Sequence, residues 1–166
     1  MSIRMKASGS VAIALLATVA VTGCLAPQTA VELGSAASEL PPYGLISNQQ
    51  SANVITALQD DPGFVLMDIR TPAEVEAGHL PGAIELDFYR DTFEDDLASL
   101  PRDQIYLIYC RTGNRTGQAF QVMEELGFEQ VYDMAGGIAQ WMAAGYPICL
   151  GPLDVEHSCS GEFPLL

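Results

Sequence analysis

The chain has 166 residues, of which 49% are hydrophobic, and its formal net charge is −14. This length predicts one domain with additional segments, and the apolar content is sufficient for a buried core. The acidic balance argues against nucleic-acid binding, which needs clustered lysines and arginines to neutralise phosphates. We interpret most of the acidic surface as a solvated face.

Residues 1–23 have the features of a targeting segment. Two basic residues precede the apolar run Val11–Val21, which is too short to span a bilayer because a transmembrane helix needs roughly 20 apolar residues. The run ends in Val21-Thr22-Gly23-Cys24, which resembles a bacterial lipobox. Cleavage would then precede Cys24, and acyl chains such as palmitate on Cys24 would hold the protein on a membrane surface. We therefore expect a lipoprotein signal peptide and an extracytoplasmic, membrane-anchored protein, in the periplasm or at the cell surface. The alternative is an ordinary secretory signal.

Residues 24–43 are rich in Ala, Ser, Gly and Pro, a composition typical of a flexible tether. Ser47 then predicts the start of a helix, because Gln50 stands at the capping-box position three residues later. Apolar residues follow at roughly helical spacing as far as Leu58, and Asp60–Gly63 predicts a turn.

The next segment predicts two short strands with a capped helix between them. Phe64–Met67 is an apolar run typical of a buried strand. Thr71 can cap a short helix that has Pro72 at its first position and Glu74 as the capping-box partner. The turn-rich loop Gly78–Ala83 then leads into the short strand Ile84–Leu86.

The polar stretch Asp87–Ser99 predicts a surface helix with two or three apolar contacts. Its acidic residues lack the alternating oxygen ligands and the glycine of a calcium-binding loop. We therefore interpret them as a solvated face.

The strongest chemical signal lies between Ile105 and Leu126. Ile105–Tyr109 predicts a buried strand, and a helical pattern runs from Arg115 to Leu126 with a glycine at the stop position. Cys110 stands between the two, facing the helix N-terminus. The unpaired N–H groups and the positive dipole end of a helix lower the pKa of such a cysteine and make it a nucleophile.

Positive charge is concentrated around this cysteine. Removal of residues 1–23 leaves five basic residues, all arginines, against 21 acidic ones, a net charge of −16. Two of the five, Arg111 and Arg115, lie in the cysteine loop. This contrast indicates an anionic substrate or intermediate that is held locally. The alternative for either arginine is a surface ion pair with a nearby acid.

The remaining elements complete an alternating pattern. Val131–Met134 predicts a strand, and Ile138–Ala144 predicts a short helix that carries Trp141. Strands that alternate with helices over this length predict an α/β domain with a mainly parallel central sheet and helices on both faces. Cys110 would lie at the carboxyl end of a strand, where ligands bind in such sheets.

Four stretches together resemble the rhodanese-like sulfurtransferase domain in its single-domain form. They are Asp68–Pro72 with Glu74, Gly78–Ile84, Cys110–Arg115, and Gly136-Gly137 followed by Trp141, Gly145 and Pro147. The stretches occur in the order and at the spacing usual in that family. The resemblance implies a rhodanese-like fold over residues 44–148, followed by a C-terminal tail at 149–166.

The resemblance also implies a mechanism that the local chemistry supports. The Cys110 thiolate would attack the outer sulfur of a small anionic donor such as thiosulfate, and the resulting persulfide would pass its sulfur to a thiol or to cyanide. The loop would bind the anionic sulfur through backbone N–H groups and the two arginine side chains. The residues expected to bind substrate are Arg111, Thr112, Gly113, Asn114, Arg115 and Thr116. We expect no cofactor and a monomer.

Two rival functions remain open. Phosphatases and arsenate reductases use a similar cysteine loop, but theirs is one residue longer, with arginine six positions after the cysteine, whereas Arg115 is five positions after Cys110. No aspartate placed as a general acid beside the loop is evident from the sequence. A non-catalytic rhodanese-fold binding module is the other rival, although inactive members usually lack the cysteine.

Several further residues have structural interpretations. We predict that Asp68, Arg70 and Glu74 form a network of caps and ion pairs near the loop. In an exported protein Cys149 and Cys159 predict a disulfide, which would stabilise the fold by about 2–3 kcal/mol; the alternative is a resolving cysteine that accepts sulfur from Cys110. The histidines and cysteines show no zinc spacing, so we expect no metal.

Overall fold

The computed structural model describes residues 40–153 and 159–160. The predicted signal peptide, Cys24 and most of the predicted tether lie outside these residues. In the described part of the chain, no helix has the length and apolar character needed to cross a membrane.

Five parallel strands form the central sheet, in the order β1-β5-β4-β2-β3. The strands are β1 (Gly44–Ile46), β2 (Phe64–Asp68), β3 (Ile84–Glu85), β4 (Ile105–Tyr109) and β5 (Val131–Met134). β4, the strand that precedes Cys110, lies in the centre of the sheet between β5 and β2. This arrangement confirms the predicted α/β class and the parallel sheet.

Helices cover both faces of the sheet, as the alternating pattern predicts. They are α1 (Asn48–Leu58), α2 (Pro72–Glu76), α3 (Phe93–Ala98), α4 (Asn114–Glu125) and α5 (Gly137–Ala143). One core cluster contains side chains of α1 and α5, including the fully buried Trp141. The other contains side chains of α3 and α4, including Met123, together with Cys110. Both predicted capping boxes are present, at Ser47 and at Thr71.

Two local differences from the sequence prediction concern short segments. The sequence analysis predicts no strand between the tether and α1, whereas β1 lies there as an edge strand of three residues whose central residue, Leu45, is 72% exposed. A strand this short and exposed has no hydrophobic pattern to reveal it. The polar stretch 87–99 contains a helix only at Phe93–Ala98, where Phe93 and Leu97 are buried.

The C-terminal segment is joined to the domain at His79. β6 (Ile148–Cys149) pairs with β7 (Cys159–Ser160) in an antiparallel ladder, and a disulfide joins Cys149 to Cys159. The backbone of Cys149 also exchanges two hydrogen bonds, of 2.9 and 2.8 Å, with that of His79. The boundary expected between residues 148 and 149 therefore falls inside β6.

Candidate active site

The position of Cys110 follows from the alternation of side chains along β4. Ile108 and Cys110 face the α3 and α4 side of the sheet, while Leu107 and Tyr109 face the other side. Cys110 is the first residue after the strand, and it is only 1% exposed. Its sulfur therefore lies beneath the start of α4, at the carboxyl edge of the sheet.

Backbone N–H groups surround this sulfur. The N–H of Gly113 donates to Cys110 Sγ across 3.1 Å, and Gly113 has a left-handed backbone with φ of +97°, a conformation that glycine adopts without a steric cost. Burial raises the pKa of the Cys110 thiol, but hydrogen bonds from the backbone of Thr116, Thr112, Gly113 and Arg115 outweigh it, so the net pKa is lowered. The loop favours the thiolate that a nucleophile requires.

The N-terminus of α5 supports the cysteine loop from behind. The N–H of Ile138 donates to the carbonyl of Cys110 at 2.9 Å, and the N–H of Ala139 donates to that of Arg111 at 3.0 Å. These bonds use N–H groups that a helix start leaves unpaired. Gly136 and Gly137 both have left-handed backbones, with φ of +72° and +55°, so the Gly-Gly pair lets α5 begin directly against the loop.

Arg115 is held by Glu74 in a two-pronged ion pair. Its two terminal nitrogens donate to the two oxygens of Glu74, each across 2.8 Å. These bonds lower the pKa of Glu74 to about 2 and raise the pKa of Arg115. The ring of Tyr89 lies 5.4 Å from the guanidinium carbon of Arg115. Arg115 is thus fixed beside the pocket, with its terminal nitrogens committed to a carboxylate.

Arg111 differs from Arg115 in being exposed, and it takes part in no salt bridge among the described residues. A pocket of about 300 Å³ opens over the sulfur. Its lining residues are Glu74, Tyr89, Cys110, Arg111, Thr112, Asn114 and Arg115. An anion entering this pocket meets Arg111 as the accessible cation and the loop N–H groups at its floor.

The predicted network of Asp68, Arg70 and Glu74 is present as two separate ion pairs. Buried Arg70 donates to Asp68 at 2.9 and 2.5 Å and to the carbonyl of Gly78 at 2.6 Å. Glu74 caps Thr71 and also binds Arg115. The first pair fastens the 78–83 loop to β2, whereas the second reaches the pocket itself.

The structure brings most of the predicted site residues together. Five of the predicted residues line the pocket, namely Cys110, Arg111, Thr112, Asn114 and Arg115. Gly113 and Thr116 lie on the inner side of the loop and face the sulfur. Cys149 and Cys159 do not line the pocket, and Cys24 falls outside the described residues.

Two side chains near the loop, those of Tyr89 and Asp133, are not predicted from the sequence as site residues. Tyr89 lies in a stretch that we interpret from sequence as a solvated face, and its only signal is an aromatic residue among acids. Asp133 is buried in β5 near Thr116, although no aspartate beside the loop is evident from sequence. The signal for Asp133 is a charged residue inside an otherwise apolar buried strand, which is rare without a specific reason.

Comparison with known proteins identifies relatives over this same region. A family model described as "Rhodanese-like domain" matches residues 51–144. A protein of Allochromatium vinosum named "Sulfurtransferase" is 33% identical over 104 residues, which cover 63% of this chain and 95% of that protein. A "tRNA uridine(34) hydroxylase" of Erwinia tasmaniensis is 34% identical over 93 residues, covering 52% of this chain and 26% of that protein. The crystal structure of a rhodanese-related protein from Thermoplasma volcanium has a TM-score of 0.55 and 26% identity, covering 64% of this chain and 97% of that one.

Proposed function

The chain belongs to the rhodanese-like domain family, and from this membership and the cysteine loop we propose that it is a sulfurtransferase acting through a persulfide on Cys110. The observation that carries the proposal is the Cys110 sulfur at the floor of a pocket, with backbone N–H groups directed at it and Arg111 at the rim. The relative named sulfurtransferase supports the same activity.

The first half-reaction forms the persulfide. The Cys110 thiolate attacks the outer sulfur of a donor such as thiosulfate, a new S–S bond forms, and the donor's S–S bond breaks with its electron pair on departing sulfite. One thiolate and one thiosulfate thus give one enzyme persulfide and one sulfite, with no oxidant or proton required. Arg111 binds the sulfonate end of the donor, and the loop N–H groups stabilise the charge on the transferred sulfur.

The second half-reaction restores the thiolate. A thiol or cyanide attacks the outer sulfur of the persulfide, and the S–S bond breaks with its electron pair on Cys110. A low cysteine pKa helps this step because a more stable thiolate is a better leaving group. The same N–H groups that favour the nucleophile therefore favour its release.

Mass spectrometry of the intact protein and of its peptides after treatment with thiosulfate tests this function. We expect the intact mass to increase by one sulfur, the added sulfur to lie on the peptide that contains Cys110, and that sulfur to be lost when cyanide is added. A protein that binds thiosulfate without gaining sulfur would instead be a binding module of the same fold. The match to the tRNA uridine hydroxylase covers only 26% of that protein, so we do not propose hydroxylation of tRNA for this chain.

We also propose that acylation of Cys24 anchors the domain to a membrane outside the cytoplasm. The support is the apolar run ending in Val21-Thr22-Gly23-Cys24 and the physical capacity of acyl chains to hold a protein at a bilayer. On detergent phase partitioning of cells expressing the full chain, we expect the wild type in the detergent phase and Cys24→Ala in the aqueous phase. Equal partitioning of the two proteins contradicts the anchor.

A further inference from the structure

Tyr89 is the one aromatic side chain among the described residues that line the pocket over Cys110. It is 66% exposed, and the proposed sulfur transfer has no step for it. Aromatic side chains gain most of their stabilisation from burial, so a ring left open beside a pocket is available to contact a ligand. The pocket volume of about 300 Å³ lies at the lower end of the range for small-molecule sites, which leaves space for an organic group beside a small anion.

The backbone of Tyr89 is held in a short turn against the domain core. Its N–H donates to Asp87 Oδ1 at 3.0 Å, and the N–H of Phe88 donates to the carbonyl of Ile69 at 3.2 Å. The ring of Phe88 packs 5.0 Å from that of the buried Phe93. The Tyr89 ring meets Phe88 edge to face, with 5.5 Å between the ring centroids. The Tyr89 ring is therefore positioned beside the pocket by the core of the domain rather than by a ligand.

The guanidinium beside the Tyr89 ring is not free to bind an anion. The guanidinium carbon of Arg115 lies 5.4 Å from the ring centroid, and both terminal nitrogens of Arg115 donate to Glu74. Glu74 is ionised at neutral pH, because its hydrogen bonds with Arg115 lower its pKa to about 2. Glu74 therefore balances the charge of Arg115, and this wall of the pocket offers a ligand an aromatic surface rather than a cation.

The charges that line the pocket balance when Cys110 is a thiolate. Arg111 and Arg115 contribute two positive charges, while Glu74 and the Cys110 thiolate contribute two negative ones. A dianion such as thiosulfate therefore meets no net positive charge in the pocket of a chain whose formal net charge is −14, and a monoanion is repelled less. The loop N–H groups attract both kinds of anion. The balance of charge thus favours a donor with a single negative charge.

We propose that Tyr89 is a specificity-determining residue whose ring holds the organic group of a monoanionic thiosulfonate donor. The sulfonyl oxygens of the donor lie at Arg111, its outer sulfur lies at Cys110, and its organic group packs on Tyr89. The Cys110 thiolate attacks the outer sulfur, a new S–S bond forms, and the donor's S–S bond breaks with its electron pair on the departing sulfinate. One thiolate and one thiosulfonate thus give one persulfide and one sulfinate. The inference rests on the proposed sulfur transfer and names the class of donor that the pocket selects.

The test compares kcat/KM for thiocyanate formation by the full chain from thiosulfate, methanethiosulfonate and benzenethiosulfonate, with cyanide as the acceptor. The two thiosulfonates carry the same charge and differ in their organic group. Because their intrinsic reactivities also differ, the quantity that reports Tyr89 is the change in their ratio on substitution. We expect Tyr89→Ala to lower the ratio of benzenethiosulfonate to methanethiosulfonate roughly two- to tenfold, the effect of one contact between aromatic groups. Tyr89→Phe, which keeps the ring, should retain the wild-type ratio.

Two further measurements separate the ring from other effects. Tyr43→Ala is the matched control, because Tyr43 is also partly exposed but does not line the pocket, and it should leave the ratio unchanged. Raising the ionic strength should increase kcat/KM for thiosulfate more than for methanethiosulfonate, because salt screens the stronger repulsion of the dianion. Thermal denaturation of each variant verifies that the compared proteins are folded.

The outcomes distinguish this inference from the proposed function. The inference is overturned if Tyr89→Ala leaves the ratio of the two thiosulfonates unchanged, which includes an equal change for all three donors through Arg115. Equal salt dependence of thiosulfate and methanethiosulfonate overturns the preference for a monoanion. If no donor forms a persulfide, the proposed sulfur transfer fails, and calorimetric binding of both thiosulfonates to Cys110→Ser tests the ring alone. Tyr89→Ala in that background should then weaken binding of benzenethiosulfonate and leave that of methanethiosulfonate unchanged, and equal effects on the two would again overturn the inference.

Discussion

We expect Cys110→Ser to lose sulfur transfer from thiosulfate to cyanide by at least roughly a thousandfold, while the domain stays folded. Loss of a covalent nucleophile has effects of this order or larger. A serine hydroxyl is not ionised near neutral pH, and its oxygen cannot hold the transferred sulfur as a persulfide. The measurement is the rate of thiocyanate formation, with a thermal melt of both proteins as the test of folding.

A matched control uses the other cysteines of the described domain. Cys149 and Cys159 form a disulfide and do not line the pocket, so the double variant Cys149→Ser/Cys159→Ser should keep transfer at temperatures where it is folded. Its melting temperature should fall, because the chain loses a covalent constraint. Loss of sulfur transfer in the folded double variant would show that Cys149 and Cys159 take part in accepting sulfur. Sulfur transfer by Cys110→Ser at the wild-type rate would refute the persulfide mechanism.

The features that sequence predicts well are those set by neighbouring residues. The apolar run Ile105–Tyr109, the cysteine after it and the helix from residue 114 follow from local pattern, and both capping boxes follow from residues three positions apart. The alternation of these elements then determines a parallel sheet, since each crossover is a helix. Local signals alone thus place Cys110 at the carboxyl edge of the sheet.

The features that sequence does not predict depend on contacts between distant residues. Arg115 and Glu74 are 41 positions apart, and no local pattern indicates that this arginine is held by a carboxylate while Arg111 stays exposed. Asp133 is likewise buried on the sheet only because β5 pairs with β4 and packs against α4. β6 pairs with β7 across a disulfide, and two-residue strands have no periodicity to detect. The electrostatics of the site is therefore set by tertiary contacts.

The acidity of the chain shows why these tertiary contacts matter for function. With a formal net charge of −14, the chain repels anionic donors at long range. Within the pocket, Glu74 neutralises Arg115, so the attraction for an anion falls to Arg111 and to the backbone N–H groups. Backbone N–H donors carry no net charge that a neighbouring acid could neutralise, which suits a loop that we propose binds sulfur anions on an acidic molecule.

We expect Gly137→Ala to reduce sulfur transfer by about a hundredfold and to destabilise the domain by about 2–4 kcal/mol. Gly137 has φ of +55°, where an alanine is strained, and an added Cβ would overlap the carbonyl oxygen of Cys110 and lie 2.7–2.8 Å from backbone atoms of Arg111. These are backbone atoms, so no side chain can turn away to relieve the contact. Either α5 withdraws its two N–H donors from the loop, or the loop moves and the sulfur loses its position.

Gly117→Ala is the matched control, because Gly117 lies in α4 and does not have a left-handed backbone. Among the described residues, an added Cβ would meet no atom within 4 Å apart from its chain neighbours and the backbone of its own helix. This variant should leave the transfer rate unchanged and stabilise the helix by about 0.5–1 kcal/mol. The measurements are thiocyanate formation, urea unfolding, and alkylation of Cys110 in the folded state, which reports the loop even if turnover is too slow to detect. Wild-type rates of transfer and alkylation in folded Gly137→Ala would show that contact between α5 and the loop does not position the cysteine. Slower alkylation of Gly137→Ala, with Gly117→Ala unaffected, would show that the Gly136-Gly137 pair helps to position the Cys110 nucleophile.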